Sequence, residues 1–178
     1  MMKKISKAVL AASFGLMSVH AGVMAAQATS ELTVTANVNA SCSINTNPVS
    51  FGSYNPANAQ PTYVSGSVTV ACVKGSVPVI SLSGGLNPGA NPGERAMKHT
   101  VGTDLLSYFL YKPASVVANT ACTTTETNPW GSVGTERFEP GTSTGIAAST
   151  YNICGKIPAA QDVSTGSYQD TVTATVEF

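Results

Sequence analysis

The sequence predicts an all-β sandwich that is one strand short of closing its own core. Three observations carry this expectation. No stretch after residue 28 has a convincing helical period. Gly and Pro punctuate the chain at the short intervals expected between sandwich strands. Both ends of that remainder alternate apolar and polar residues, the period of a strand with one buried face. The first alternating run, Glu31 to Ile44, is also too long. At about 3.3 Å per residue it would extend roughly 45 Å, where an ordinary strand spans under about 20 Å.

Residues 1–28 are read as a secretory signal peptide. Lys3, Lys4 and Lys7 form a basic start, Ala8 to Val19 an apolar stretch too short to span a bilayer, and Ala26-Gln27-Ala28 a cleavage site after Ala28. No Cys follows the apolar stretch directly, which argues against a lipid anchor, and no later segment is apolar enough to span a membrane. Cleavage leaves 150 of the 178 residues, the size of one domain. It also removes three lysines, so six basic residues face nine acidic ones, a charge near −3. With no basic patch, nucleic acid is not an expected partner. A surface of Thr, Ser, Ala and Val with few charges suits a protein that associates.

In the first run, Leu32, Val34, Ala36, Val38, Ala40, Cys42 and Ile44 share a face. The next strand, "GSVTVACV", places Val68, Val70 and Cys72 together. "VPVISLS", Val77 to Ser83, is a fuller apolar run and reads as a central strand. "GGLNPGANPGE" is turn or loop. "DLLSYFLYKP" is a strand, residues 114–147 with Trp130 a loop, and "STYNICGKIPAAQ" a strand running into a loop. "GSYQDTVTATVEF" reads as one long strand to the last residue, with Val172, Ala174, Val176 and Phe178 on one face.

An overlong first strand and a chain that stops on a strand fit together if the missing strand comes from another molecule. A sandwich lacking one strand exposes two unpaired edges and a slot into its core. Residues 29–39 are assigned as an arm and residues 40–178 as the domain. Leu32, Val34, Ala36 and Val38 are the donor residues, and Val172, Ala174, Val176 and Phe178 mark the acceptor edge. Strand addition of this kind is head-to-tail and propagates as an open filament.

Four cysteines in an exported chain, Cys42, Cys72, Cys122 and Cys154, imply two disulfides with three possible connectivities. Cys42 and Cys72 share the buried phase of early strands, and pairing them leaves Cys122 with Cys154. Zinc is disfavoured, because the spacings are wrong and only His99 remains to help. Catalysis has little to stand on. Ser143 lies in "GTSTG", but no His follows it and no helix is expected there. His99 reads as a strand-end residue, Asp162 and Asp170 as solvated turn acids, and Trp130 as packed on the sandwich rather than as a sugar platform. Asn39-Ala40-Ser41 matches a glycosylation sequon, idle beside an inward Ala40. No enzyme activity, cofactor or metal is expected.

The segments "ASCSI", "FGSY", "VTVAC", "LSYFLY", "WGSVGT", "CGKIPAAQ" and "GSYQDTVTATVEF" resemble the spore coat protein U domain family, which includes pilin subunits of archaic chaperone–usher pili. The resemblance covers nearly all of residues 32–178. It implies an incomplete immunoglobulin-like sandwich, folding on a periplasmic chaperone, and assembly with other pilin copies through an outer-membrane usher to a surface pilus. It also implies that the Phe178 carboxylate anchors in a basic cleft of the chaperone. One departure stands out: Cys154 occupies the position before Gly-Lys-Ile-Pro, usually aromatic in that family, so the Cys122/Cys154 pair is a local addition. The expected function is a shaft or adaptor subunit supporting adhesion or biofilm formation. The alternatives are a self-complemented spore or cell coat protein and a sugar-binding adhesin domain.

Overall fold

A computed structural model describes residues 26–178; the basic and apolar parts of the expected signal peptide lie outside them. The chain divides at Ala36/Asn37 into two units. In the first, the described residues belong to no helix or strand and are exposed. The second is all-β, with one 3₁₀ turn at Gly134–Glu136.

Eight strands follow in chain order: β1 (Cys42–Asn47), β2 (Thr62–Cys72), β3 (Val79–Leu82), β4 (Glu94–His99), β5 (Leu105–Tyr111), β6 (Ser149–Ile157), β7 (Tyr168–Gln169) and β8 (Ala174–Glu177). They form a six-stranded antiparallel sheet in the order β1-β2-β6-β5-β4-β7 and a two-stranded sheet of β3 and β8. This is the two-layer arrangement of an immunoglobulin-like sandwich with one layer reduced. The alternation of β2 has the expected result, burying Val68 and Val70, and that of β5 buries Leu106, Tyr108 and Leu110 between the layers, where Ile80 and Leu82 of β3 meet them.

Several expectations are corrected. The first strand does not begin near residue 31 or even at Ala40; it starts at Cys42, and Glu31 to Ser41 are exposed, Ala40 included. "VPVISLS" has a partner on each flank, as a central strand should, but in the small sheet. It yields β3, held by β8 on one side and by a bridge from Ile80 to Phe138 on the other. The terminal run is two strands, because the chain leaves the large sheet after Gln169 and joins the small one at Ala174, and Phe178 lies beyond β8. Of β4 only the end was foreseen, in the reading of His99 as a strand-end residue.

Trp130 is fully buried. Its backbone N–H donates to Leu110 of the large sheet and its indole Nε1–H to the carbonyl of Ile80 in the small one, so it joins the two layers. The "GTSTG" segment is a strap: the Ser143 N–H donates to Ser76 O and the Gly75 N–H to Ser143 O. His99 ends β4, with Nδ1 accepting from the N–H groups of Val101 and Gly102 and its ring edge-on to Tyr168. Asp162 is exposed. Asp170 is not the solvated acid expected, as described below. Cys42 bonds Cys72 and Cys122 bonds Cys154, leaving no free thiol.

Candidate interaction groove

β1 is bonded to β2 on one flank only, and β8 to β3 on one flank only. Each presents a row of backbone groups without ladder partners, the condition that invites another strand. The two free edges face a common cleft. One wall is the end of β1, Thr46 and Asn47, continued by Val49 and Phe51; the other is the chain from Tyr168 to Ala174. The floor is the core itself: Leu82, Tyr108, Leu110 and Ile153 are buried residues that also line the opening, a cavity of about 360 Å³. It runs on past Val49, Phe51 and Met97 into a wider cavity of about 690 Å³ beside Leu106 and Ile157.

The sequence builds this shape locally. Val49 and Phe51 lie in the loop after β1, where the inward side passes from even to odd positions, and lean over the large sheet, where two neighbouring strands carry glycines on the inward face. A Cβ on Gly155 would lie 2.8 Å from Val49 and 2.9 Å from Phe51, and one on Gly66 2.7 Å from Val49. These glycines recess the sheet so that the wall can seat.

A polar knot closes one end of the cleft. Asp170 accepts from the Tyr108 hydroxyl at 2.7 Å and from the Leu86 and Thr171 N–H groups at 2.8 Å each. Burial, and then the bond to Asp170, pushes the Tyr108 phenol well above its ordinary pKa. Asp170 therefore sits where the chain switches sheets, tying it to β5 and to the β3–β4 loop. Behind it, Arg95 is buried with its guanidinium on the carbonyls of Ser83, Gly93 and Trp130 at 2.9, 3.0 and 2.7 Å. Burial lowers its pKa.

Of the residues singled out in the sequence, Val172 and Ala174 line the cleft. Val176 packs against the core without lining it, and Phe178 is 57% exposed. Leu32, Val34 and Val38 are 87%, 84% and 81% exposed, and Ala36 is exposed as well. The donor run thus has the alternation of a half-buried strand and no buried face. Sequence reasoning missed Tyr108, Asp170, Met97 and the Val49/Phe51 wall. The last left no signal in the alternation, since Val49 and Phe51 fall out of phase with Cys42 and Ile44 once the chain passes Pro48.

Comparison with known proteins places these features. The profile described as Spore Coat Protein U domain matches residues 28–175. "Protein U" of Myxococcus xanthus is 34% identical over 168 residues, covering 86% of this chain and 87% of the relative. Among solved structures, the CsuC–CsuE chaperone–tip adhesion subunit pre-assembly complex from the archaic chaperone–usher Csu pili of Acinetobacter baumannii aligns with a TM-score of 0.51 at 30% identity. The match covers 79% of this chain and 40% of that one.

Proposed function

The chain belongs to the Spore Coat Protein U domain family, and we propose that it is a structural, non-enzymatic subunit of a surface pilus, joined head-to-tail by strand donation and delivered by a periplasmic chaperone and an outer-membrane usher. One observation carries the reading: an open cleft into the core, flanked by two unpaired strand edges, in a chain whose exposed arm has the alternation of the strand the cleft lacks. Residues 29–38 donate Leu32, Val34, Ala36 and Val38 to the cleft of the next copy. Val172 and Ala174 meet them on the acceptor wall, and β1 and β8 supply the ladders. Before assembly the chaperone covers the same edges. The likeness to a chaperone–subunit complex supports this. Export by a signal peptide cut after Ala28, a place in the shaft or an adaptor, and a role in adhesion or biofilm formation belong to the same reading.

The test uses the two phases of the arm. Burying each large aliphatic of the donor face stabilises the joint by about 1.5–3 kcal/mol. A lysine at 34 instead carries an unpaired charge into the core, at a cost of several kcal/mol. Val34→Lys should abolish filaments, and Thr35→Lys, on the outward phase, should leave them intact. Filament yield and thermal dissociation at equal expression check this. Equal behaviour of the two variants would mean that the even-numbered face is not the inserted one.

The second reading is a coat protein whose arm fills its own cleft, favoured by the likeness to Protein U over most of both chains. Under it the purified monomer would protect the amides of residues 31–38 from exchange, and dilution would leave that protection unchanged.

A further inference from the structure

We infer that one end of the sandwich, the end from which the arm departs, is a second contact surface that packs against the body of the neighbouring copy. This rests on the strand-donation reading above.

The position of that end follows from register. Cys42, where β1 begins, faces Cys72, where β2 ends. Val70 faces Ser149, the first residue of β6, and Tyr111, the last of β5, faces Cys154. The segments just beyond these points, 73–77, 112–120 and 143–148, therefore gather at one pole with the root of the arm. They are laced together there. Ser143 exchanges backbone bonds with Gly75 and Ser76, and the Asn119 N–H donates to Thr150 O at 2.7 Å.

The pole is apolar where solvent should favour charge. Val77, Val116, Val117 and Ile146 are 56%, 53%, 66% and 77% exposed. Lys74 and Lys112 are the only charged residues in the three segments. Single exposed valines need no explanation, but Val77 and Ile146 lie on segments bonded through Ser143, and Val116 and Val117 on a segment bonded to Thr150 at the start of β6, so the four aliphatics gather at one end.

What covers the patch follows from chain length. Between Val38, the last donor residue, and Cys42, the first residue of β1, lie Asn39, Ala40 and Ser41. Fully extended, that link reaches about 14 Å. A copy holding Val38 in its cleft must bring its body within that distance of the pole. The occupant is thus a second copy of this chain, and the patch is the face it meets. The contact does for orientation what the arm does for attachment, because a short link alone leaves the joint free to swivel.

The experiment places a photo-crosslinking benzoylphenylalanine at Val117 in the full chain, produced with its own assembly machinery, and examines filaments beside a Val117→Asp/Ile146→Asp variant. Both positions are exposed, so thermal stability of the monomer should stay at the wild-type value. Cross-linked dimers in filaments, absent when residues 29–38 are deleted, support the inference. So does about tenfold weaker joining of the Asp variant, equivalent to a loss of about 1.4 kcal/mol. Filaments that form normally from the Asp variant, with no cross-link from position 117, overturn it and leave strand donation standing. Filaments in which Val34→Lys is tolerated overturn both.

Discussion

Arg95 carries a charge into the core and makes no ion pair among the described residues; its guanidinium is matched to backbone carbonyls of three segments. Removing it leaves several buried acceptors unsatisfied, at about 1–3 kcal/mol each. Arg95→Met should therefore lower unfolding free energy by more than about 3 kcal/mol, measured in urea, with the β3–β4 loop the first segment to lose amide protection. Such a residue is hard to read in advance. In "ERAMKH" the inward phase is Arg95, Met97 and His99, and the outward phase holds Ala96, so the period of two is present with its polarity scrambled. Asp170 is illegible for another reason, since its partners at Leu86 and Tyr108 are 84 and 62 residues away. The burial of Tyr108, and then its bond to Asp170, has a pH signature. A phenol whose folded pKa is raised binds its proton more tightly in the folded state. Its contribution is present below the unfolded value of about 10 and is lost as pH rises beyond it. Stability should fall above about pH 10, and Tyr108→Phe should flatten that fall; an unchanged slope would assign it to other groups.

At the scale of elements, strand phase was the most legible property and strand partnership the least. Cys42, Val68, Val70, Cys72 and the 172–176 face all point as their alternation implies, because burial on one side is a local pattern. The break between β7 and β8 left no mark on that pattern. Both sheets face the same core, so Tyr168, Asp170, Val172, Ala174 and Val176 keep one phase while the chain changes layer. The Val49/Phe51 wall depends on Gly155 of β6, so Gly155→Val should displace Phe51 into the cleft. Filament yield should fall while both disulfides still form, which peptide mapping would show; unimpaired assembly would mean the wall is not part of the acceptor. The second disulfide acts on a loop rather than a ladder. Cys122→Ser/Cys154→Ser should cost about 2–4 kcal/mol, with faster amide exchange confined to residues 112–128.

Taken as a whole molecule, the chain separates giving from receiving: the arm precedes β1, and the cleft lies between β1 and β8. A copy without residues 29–38 should accept a neighbour's arm and offer none, ending a growing filament as a cap; continued growth from it would place the donor elsewhere. The first disulfide acquires a further meaning when such a filament is pulled. Tension from the neighbour enters through Ser41 at Cys42, the first residue of a six-residue edge strand. An edge strand drawn from its end peels, breaking its ladder one bond at a time. The bond to Cys72 passes the load to β2, eleven residues long and held by neighbours on both flanks, whose bonds must yield together. Force spectroscopy of filaments should therefore show a lower rupture force and an early extension step in Cys42→Ser/Cys72→Ser, whereas replacing Cys122 and Cys154 should leave the trace unchanged.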